Sequence, residues 1–381
     1  MTEWVIWLLM LGAGYSYGVY PVLLLALTRL PGADKEAGHA DSSGVEAPVS
    51  FIVTARNEAA RIEGKIRDLL AHAEGWPSEI LIVSDASEDE TDELVRGMGD
   101  DRVRLIRQEA RGGKEAAQKL GIDAARGEIL VFSDVSTRIA PGSLEALMKR
   151  FRNPCVGAVS SEDRFESPDG TLAGEGLYVR YEMWLRRLES RLAGLVGLSG
   201  SFFAVRRSIC DEWRTDVPSD FTVALTCARR GLKAVSDPAV IGVYRNLRNT
   251  ADEYARKRRT VLRGMAGLSA AREVLNPATF GMFSWQVWSH KMLRWAVPWF
   301  LLLLFVTSCF LAPGGGLPLV LLAGQAVGCG LAVLASVSAA VQRLAFARFA
   351  YYFCQVNLAM AEACLRFIRG ERVVTWEPSR R

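Results

Sequence analysis

Uncharged, apolar segments lie near both ends of the chain, and the middle has the composition of a soluble domain. Residues 4–28 carry no charge, a length that spans the roughly 30 Å hydrocarbon core of a membrane as a helix. Glu3 stands where a secretory signal would carry a basic residue, so we interpret this segment as an anchor. Residues 295–342 are also uncharged, and a Pro/Gly-rich stretch at 313–318 divides them, which predicts two further spans joined by a tight turn.

Between these segments, from Pro48 onward, short apolar strands alternate with amphipathic helices. The pattern predicts strands over 49–54, 79–84, 103–107 and 128–133, and helices over 59–72, 91–97 and 114–126. This alternation is typical of βαβ units, in which helices cover both faces of a parallel sheet. Because ligands bind beyond the carboxyl ends of such strands, the loops that follow them are the first candidates for a site.

Acidic residues occur in each of three loops that follow a predicted strand. The loops are T-A-R-N-E (54–58), D-A-S-E-D-E-T (85–91) and S-D-V-S-T (133–137). Carboxylates that converge at one edge of a sheet suit a hard divalent cation, which takes oxygen ligands and bridges phosphates. A structural role stays open for each loop, since Asp85 and Ser87, or Asp134, could cap a following helix. Their occurrence in successive loops favours a binding site.

Composition and spacing exclude several other kinds of site. The net charge is +4, without a basic stripe interleaved with aromatic residues, so no nucleic-acid partner is expected. The seven cysteines form no CxxC pair and the three histidines no HExxH motif, which argues against a disulfide framework and a zinc site. Arg-Gly-Gly-Lys (111–114) lacks the Walker spacing, although its glycine pair could still present backbone N–H groups to an anion.

Eight segments follow one another in an order that is informative as a set. The first four are V-T-A-R-N-E (53–58), V-S-D-A-S-E-D-E-T (83–91), G-K-E-A-A-Q-K-L-G (113–121) and F-S-D-V-S-T (132–137). The others are G-L-S-G-S-F-F-A-V-R-R (197–207), P-S-D-F-T-V-A-L-T-C-A-R-R-G (218–231), R-K-R-R-T-V-L-R-G (256–264) and S-H-K-M-L-R-W (289–295). Over nearly the whole chain this order resembles glycosyltransferase family 2, whose catalytic domain has the GT-A nucleotide-sugar fold.

The resemblance implies a role for each matched residue. Asp220 corresponds to the general base, and Asp134 to the first position of the DxD motif near ribose, diphosphate and metal. Glu58 and Asp85 would hold the nucleoside, with Asp85 facing a pyrimidine base. The implied donor-binding residues are Thr54, Ala55, Glu58, Asp85, Lys114, Asp134 and Arg259; the metal positions are Asp134 and Ser136, and the acceptor-side residues are Gly200 and Ser201.

Two departures from the family pattern change what is expected. The DxD motif reads Asp-Val-Ser, so Ser136 offers a neutral oxygen where a second carboxylate is usual. The QxxRW motif of processive members is not intact, because Arg256 replaces its Gln and Thr260 its Trp, which favours transfer of one or a few sugars. Arg256, Arg259 and Arg263 share one helix face, and contact with anionic headgroups stays open as an alternative to diphosphate binding.

We therefore expect an α/β GT-A domain with a Rossmann-like mixed sheet, anchored by one N-terminal and two to three C-terminal membrane helices. The expected divisions are an anchor (1–29), a linker (30–47), the catalytic domain (48–275), an amphipathic interface segment (276–294), a membrane region (295–368) and a basic tail (369–381). Arg29, Lys291 and Arg294 flank the spans, so the positive-inside rule places the catalytic domain in the cytoplasm. The arginine-rich tail prefers the same side, and segment 344–367 is therefore expected to lie at the interface or re-enter.

These inferences predict an inverting glycosyltransferase in a multi-pass protein of the inner membrane. Its expected partners are a nucleotide-sugar donor carrying UDP, a lipid-linked or cell-surface glycan acceptor and membrane lipids, and its expected cofactor is Mg²⁺ or Mn²⁺. One alternative is a nucleotidyltransferase that forms nucleotide-sugars, although its Gly-rich N-terminal signature is absent. The other is a non-catalytic membrane scaffold that kept the fold, which Ser136 leaves open.

Overall fold

The computed structural model describes residues 2–30, 47–166, 175–245 and 250–373. Most of the expected linker (30–47) and most of the expected tail (369–381) lie outside the described residues. The chain forms two compact units, each assembled from separate segments. We call residues 24–248, 266–286 and 373–381 the sheet unit, and residues 1–23, 249–265 and 287–372 the helical unit.

The described residues form strands and helices in the following order. The strands are β1 (Val49–Ala55), β2 (Ser78–Ser84), β3 (Val103–Arg107), β4 (Ile129–Ser133), β5 (Arg138–Ile139), β6 (Val156–Glu166), β7 (Phe202–Arg206) and β8 (Lys233–Arg245). The helices are α1 (Thr2–Gly14), α2 (Tyr20–Leu27), α3 (Ile62–His72), α4 (Thr91–Arg96), α5 (Lys114–Ala124), α6 (Ser143–Phe151), α7 (Glu175–Leu192), α8 (Ser219–Arg229), α9 (Thr250–Ala270), α10 (Pro277–Val287), α11 (Leu293–Leu311), α12 (Gly316–Val337), α13 (Ala339–Gln342) and α14 (Ala345–Ile368).

A single mixed sheet forms the centre of the sheet unit. Its eight strands are hydrogen-bonded in the order β3-β2-β1-β4-β7-β6-β8-β5. The first four strands are parallel, whereas β7 runs antiparallel to both β4 and β6. The Rossmann-like mixed sheet predicted from the sequence is thus confirmed, and the carboxyl ends of β1, β2 and β4 meet at one edge.

Apolar side chains bury both faces of this sheet. Because successive residues of a strand point to opposite faces, Phe51 and Val53 of β1 belong to one apolar cluster with Ile66 of α3, and Ile52 belongs to a second cluster on the side of α5. Burial of one such side chain stabilises the fold by about 1.5–3 kcal/mol. Gly121 lets α5 approach β1 closely, since a Cβ there would lie 2.6 Å from Ile52 Cγ2.

Three described helical segments are long and apolar enough to cross a membrane. They are Trp4–Leu27, Pro277–Gly314 and Gly316–Val337. This confirms the prediction of one N-terminal and two C-terminal candidate spans. A short 3₁₀ turn, Ala312–Gly314, separates α11 from α12 at the predicted Pro/Gly break. The expected interface segment, 276–294, opens the second of the three candidate spans.

Helix α14 covers the segment whose membrane placement the sequence left open. Its Glu362 accepts hydrogen bonds from Tyr254 and Arg258 of α9, at 2.8 and 2.9 Å. Within α14, Arg366 donates to the same carboxylate at 2.9 Å. The acidic residue that interrupts this apolar helix therefore connects it to the basic helix α9.

Candidate active site

Hydrogen bonds join the loops that follow β1 and β2. The Arg56 guanidinium donates to the carbonyl oxygens of Asp85 and Ala86, at 2.8 and 2.7 Å. The Asn57 side chain accepts from the N–H of Glu88 at 2.8 Å. Asn57 and Ala86 both have a φ of 52°, a left-handed conformation that costs a residue with a side chain about 1–2 kcal/mol. The bonds between the two loops offset this strain.

The residues expected to contact the nucleoside lie at this edge of the sheet. Thr54 and Ala55 end β1, and the carbonyl oxygen of Ala55 accepts from the N–H of Asp85 at 2.9 Å. Glu58 precedes α3, and its N–H donates to the Thr91 hydroxyl at 2.9 Å. Its carboxylate lies 3.5 Å from Arg61. The loop over residues 54–58 therefore lies at the carboxyl end of β1, as the strand pattern predicts.

Asp85 organises the turn that opens α5. Its carboxylate is 5% exposed and accepts from the N–H groups of Gly112 and Gly113 at 2.7 and 3.0 Å. The Gln108 amide donates to the same carboxylate at 3.1 Å. The glycine pair thus presents its N–H groups to an anion within the chain, the Asp85 carboxylate, which holds the turn that precedes Lys114.

Lys114 and Asp134 form an ion pair at the edge of the sheet. The Lys114 ammonium lies 2.5 Å from Asp134 Oδ1, and the two side chains are 16% and 22% exposed. The same ammonium donates to the carbonyl oxygen of Gly200 at 2.9 Å. Two of the residues implied by the resemblance are thus in direct contact, in a setting where partial burial reduces solvent screening of their charges.

The turn over residues 198–201 connects this ion pair to Asp220. The N–H of Asp134 donates to the carbonyl oxygen of Ser201 at 2.9 Å. A Cβ added at Gly200 would lie only 2.7 Å from Asp220 Oδ2. Asp220 is the second residue of α8 and accepts from the N–H of Phe221 at 2.9 Å. The structure therefore brings Asp134, Gly200, Ser201 and Asp220 together.

A divalent cation at this edge of the sheet would need oxygen atoms of a bound substrate in addition to those of the protein. Among the described residues, no group of three or more His, Cys, Asp and Glu side chains could hold a metal ion. Asp134 supplies one carboxylate, and Ser136 can add a neutral oxygen. Mg²⁺ is commonly bound by one or two carboxylates together with substrate phosphates. The donor set is consistent with a cation shared with a diphosphate, for which Lys114 would have to release Asp134 Oδ1.

A carboxylate that the sequence analysis did not single out supports the same turn. Asp163, on β6, accepts hydrogen bonds from the hydroxyls of Ser199 and Ser201 at 2.6 and 3.2 Å. The two hydroxyls lie 2.9 Å apart. The available signal was the polar run S-S-E-D-R (160–164) inside a strand, but its meaning depends on the pairing of distant strands.

Three ionisable residues on one face of α3 hold the segment after the Asp-Val-Ser motif, and they too were missed. Lys65 donates to the carbonyl oxygen of Thr137 at 2.6 Å. Asp68 accepts from the N–H of Ile139 at 3.3 Å, and His72 Nε2 lies 2.8 Å from the Ile139 carbonyl oxygen. Burial lowers the pKa of Lys65 to about 8, against the opposite effect of nearby carboxylates. Spacings of three and four residues, which place side chains on one helix face, were the sequence signal.

Arg259, the remaining donor-binding candidate, lies on α9 in the helical unit. Burial lowers the pKa of its guanidinium, and the neighbouring charges of Arg263 and Arg256 act in the same direction. The positive charge of these three arginines would favour binding of an anion at this face of α9.

Comparisons with known proteins agree with this geometry. The model of the family described as glycosyl transferase family 2 matches residues 50–214. The succinoglycan biosynthesis protein ExoO of Rhizobium meliloti is 37% identical over 140 residues, which are 37% of this chain and 39% of that protein. A dolichyl-phosphate beta-glucosyltransferase of Trichomonas vaginalis is 30% identical over 117 residues, 28% of this chain and 35% of that protein. The chain thus spans less than half the length of either relative.

A solved structure extends the likeness of fold beyond the sheet unit. The mannosyltransferase PcManGT from Pyrobaculum calidifontis, solved in complex with GDP-Man and Mn²⁺, superposes with a TM-score of 0.74 at 22% identity. The match covers 98% of this chain and 100% of that one. At this identity the likeness shows the fold, which is the GT-A fold with helices on either side in sequence. Residues 50–214 thus resemble glycosyl transferase family 2, and the GT-A fold around them agrees with a glycosyltransferase.

Proposed function

We propose that this protein transfers a sugar, with inversion at the anomeric carbon, from a UDP-sugar to a lipid-linked or cell-surface glycan at the cytoplasmic face of the inner membrane. The observation that carries the proposal is the contact of Lys114 with both Asp134 and Gly200, with Gly200 packed against Asp220. One turn therefore joins a cation, a carboxylate for metal and donor, and a second carboxylate that can act as a base.

The chemistry assigned to these residues needs no covalent intermediate. Asp220 takes the proton of the acceptor hydroxyl while the hydroxyl oxygen forms a bond to the anomeric carbon. The bond between that carbon and the donor diphosphate breaks, and the electron pair leaves with the diphosphate. Lys114 stabilises the negative charge that develops there. Arg259 is proposed as a donor-binding residue from its place in the sequence motif alone.

A divalent cation, Mg²⁺ or Mn²⁺, is proposed to be held by Asp134 and Ser136 together with the donor phosphates. Such a cation neutralises the charge of the leaving diphosphate when it is bound. To hold the cation, Asp134 would have to lose its hydrogen bond from Lys114. Donor binding would therefore move the lysine from the carboxylate to a phosphate oxygen. This exchange keeps each charge paired.

Sequence relatives support a membrane acceptor. The names of two of them refer to succinoglycan biosynthesis and to dolichyl phosphate. Three described helical segments of this chain are long and apolar enough to cross a membrane. Both observations support a lipid-linked or growing glycan acceptor.

A donor screen separates the proposal from its alternatives. Purified full-length protein would be incubated with UDP- and GDP-sugars and Mn²⁺, with membrane lipid extract as the acceptor source. We expect release of UDP and incorporation of sugar into lipid or glycan. Release of inorganic diphosphate from a nucleoside triphosphate and a sugar phosphate would instead indicate a nucleotidyltransferase. Donor binding without any product would indicate a scaffold.

A further inference from the structure

The turn over residues 198–201 contacts three residues of the sheet unit to which the proposed function assigns chemistry, namely Lys114, Asp134 and Asp220. Its backbone contacts are Lys114 Nζ to the Gly200 oxygen (2.9 Å), the Asp134 N–H to the Ser201 oxygen (2.9 Å) and the Leu198 N–H to the Asp220 oxygen (2.9 Å). Gly200 also lies against the Asp220 carboxylate without room for a Cβ. A displacement of this turn would therefore change the spacing between the phosphate-binding lysine and the base.

One carboxylate accepts hydrogen bonds from both serine hydroxyls of this turn. Ser199 and Ser201 donate to the same oxygen of Asp163, at 2.6 and 3.2 Å. Hydrogen bonds to an ionised acceptor are shorter and about twice as strong as those between neutral groups. Ser199 is 5% exposed, and its N–H donates to the Ser160 hydroxyl at 2.8 Å. Two residues of β6, Ser160 and Asp163, thus hold the turn.

We propose that Asp163 is a positioning residue for sugar transfer, which fixes the 198–201 turn and thereby the distance between Lys114 and Asp220. The inference rests on the proposed function. Asp163 acts through Ser199 and Ser201 and has no assigned contact with the donor or the reacting hydroxyl. Its effect should therefore be on the rate of transfer more than on binding of the nucleotide.

The test compares variants that differ in what they offer to the two serines. Asp163→Ala removes the acceptor, and Asp163→Asn keeps an acceptor oxygen without the charge. We expect Asp163→Ala to lower kcat by about tenfold to a hundredfold, as small misplacements of reacting groups do. The affinity for UDP with Mn²⁺, measured by calorimetry, should stay nearly unchanged. Asp163→Asn should restore most of the rate.

Two further variants make the assignment specific. In a Ser199→Ala/Ser201→Ala background the two serine hydroxyls that donate to Asp163 are gone. Adding Asp163→Ala should then lower kcat by a smaller factor than it does in the wild type, the non-additivity expected of residues in one network. Asp216→Ala is the matched control, since Asp216 is a 53% exposed carboxylate paired with Arg214. That variant should transfer sugar at the wild-type rate.

Amide hydrogen exchange tests the same inference without catalysis. The N–H of Asp134 donates to the turn at Ser201, and the N–H of Leu198 donates from the turn to Asp220. In Asp163→Ala both amides should exchange faster than in wild type. Wild-type kcat in Asp163→Ala, or equal losses of kcat, UDP affinity and melting temperature, would overturn the positioning role. Unchanged exchange would overturn it even if the wild type transferred no sugar. Absence of transfer by the wild type with faster exchange in the variant would count against the proposed function and leave the role of Asp163 in the turn supported.

Discussion

Gly200 controls how closely the candidate base can approach the 198–201 turn. In Gly200→Ala the new methyl group would meet Asp220 Oδ2 at 2.7 Å, closer than a Cβ contact allows. We expect the Asp220 carboxylate to move and transfer to fall by about tenfold to a hundredfold, with UDP affinity retained. The matched control is Gly64→Ala on α3, where nothing lies within 4 Å of the added Cβ. The control should keep full activity; equal activity of both variants would contradict the prediction.

One substitution separates the hydrogen bond that Asp220 makes in α8 from its proposed role as general base. Its carboxylate accepts from the Phe221 N–H in the first turn of α8, which asparagine can also do. As a general base it contributes about 10²–10⁴-fold to the rate. Asp220→Asn should therefore keep the melting temperature and UDP-sugar affinity while transfer collapses, all measured on one preparation. Transfer near the wild-type rate would remove Asp220 from the mechanism.

If the proposed cation is bound, Ser136 should affect the metal concentration that activity requires. Because affinity for a hard cation rises with the number of charged oxygen ligands, Ser136→Asp should lower the Mn²⁺ concentration for half-maximal activity by about tenfold. Asp134→Ala should abolish donor binding, and EDTA should stop transfer by the wild type. Activity that EDTA leaves unchanged, together with normal donor binding by Asp134→Ala, would show that no cation is required.

At the scale of elements, α3 holds the segment that follows β4. Lys65, Asp68 and His72 contact the backbone of residues 137–139. These contacts attach the Asp-Val-Ser loop to a helix whose apolar face is buried in the core. The loop is therefore fixed at both ends, at Asp134 by the Ser201 oxygen and after Ser136 by α3.

Lys65 makes the stability of this arrangement depend on pH. Burial lowers the pKa of Lys65 from 10.5 to about 8, so the unfolded state binds more protons than the folded state between these values. The contribution of Lys65 to the free energy of unfolding therefore rises with pH across that window, by up to about 3 kcal/mol. Below pH 8 the lysine is charged in both states and the cost of burying the charge is fully present.

The comparison of wild type with Lys65→Met measures this contribution. The melting temperature of wild type relative to Lys65→Met should increase as the pH rises from about 8 to about 10. Lys119→Met is the control, because Lys119 is a 39% exposed partner of Asp123 on α5. Its difference from wild type should not vary in this window. If the melting temperatures of wild type and Lys65→Met changed in parallel with pH, the lowered pKa of Lys65 would be contradicted.

At the scale of the whole molecule, the placement of α14 decides on which side of the membrane the residues after α14 lie. Arg294 is 7% exposed and lies over the Tyr17 ring, 4.9 Å from its centroid. Its charge therefore interacts with this ring inside the helical unit. Helix α9 carries four consecutive basic residues, 256–259, which are too costly to place in hydrocarbon. Because Glu362 accepts from Tyr254 and Arg258 of α9, we infer that the last turns of α14 lie at the same membrane surface as α9.

Labelling with a membrane-impermeant thiol reagent on intact cells tests this topology. A cysteine at position 379 should not react, because three crossings and an interfacial α14 leave the tail in the cytoplasm. Gly314→Cys, in the turn between α11 and α12, is the positive control and should react from outside. Wild type, with its own seven cysteines, gives the background. Reaction at position 379 from outside would show that α14 crosses the membrane.

The sequence by itself determined the elements whose signals are local. Periodicities of two and of about 3.6 residues placed β1 to β4 and α3 to α5 within a few residues, and unbroken apolar length placed the three candidate spans. The rule that ligands lie beyond the ends of parallel strands then selected the loops of Glu58, Asp85 and Asp134. None of these inferences needed a contact between distant parts of the chain.

Only the tertiary structure decided which of those residues meet, and through what. The contact of Asp163 with Ser199 spans 36 positions, and that of Lys114 with Gly200 spans 86. Such contacts arise because antiparallel β7 pairs with both β4 and β6, and strand order is set by burial of two sheet faces together. Local patterns carry no information on that pairing, so the Asp163 support and the anchoring of the 137–139 segment by α3 became visible only in the folded chain.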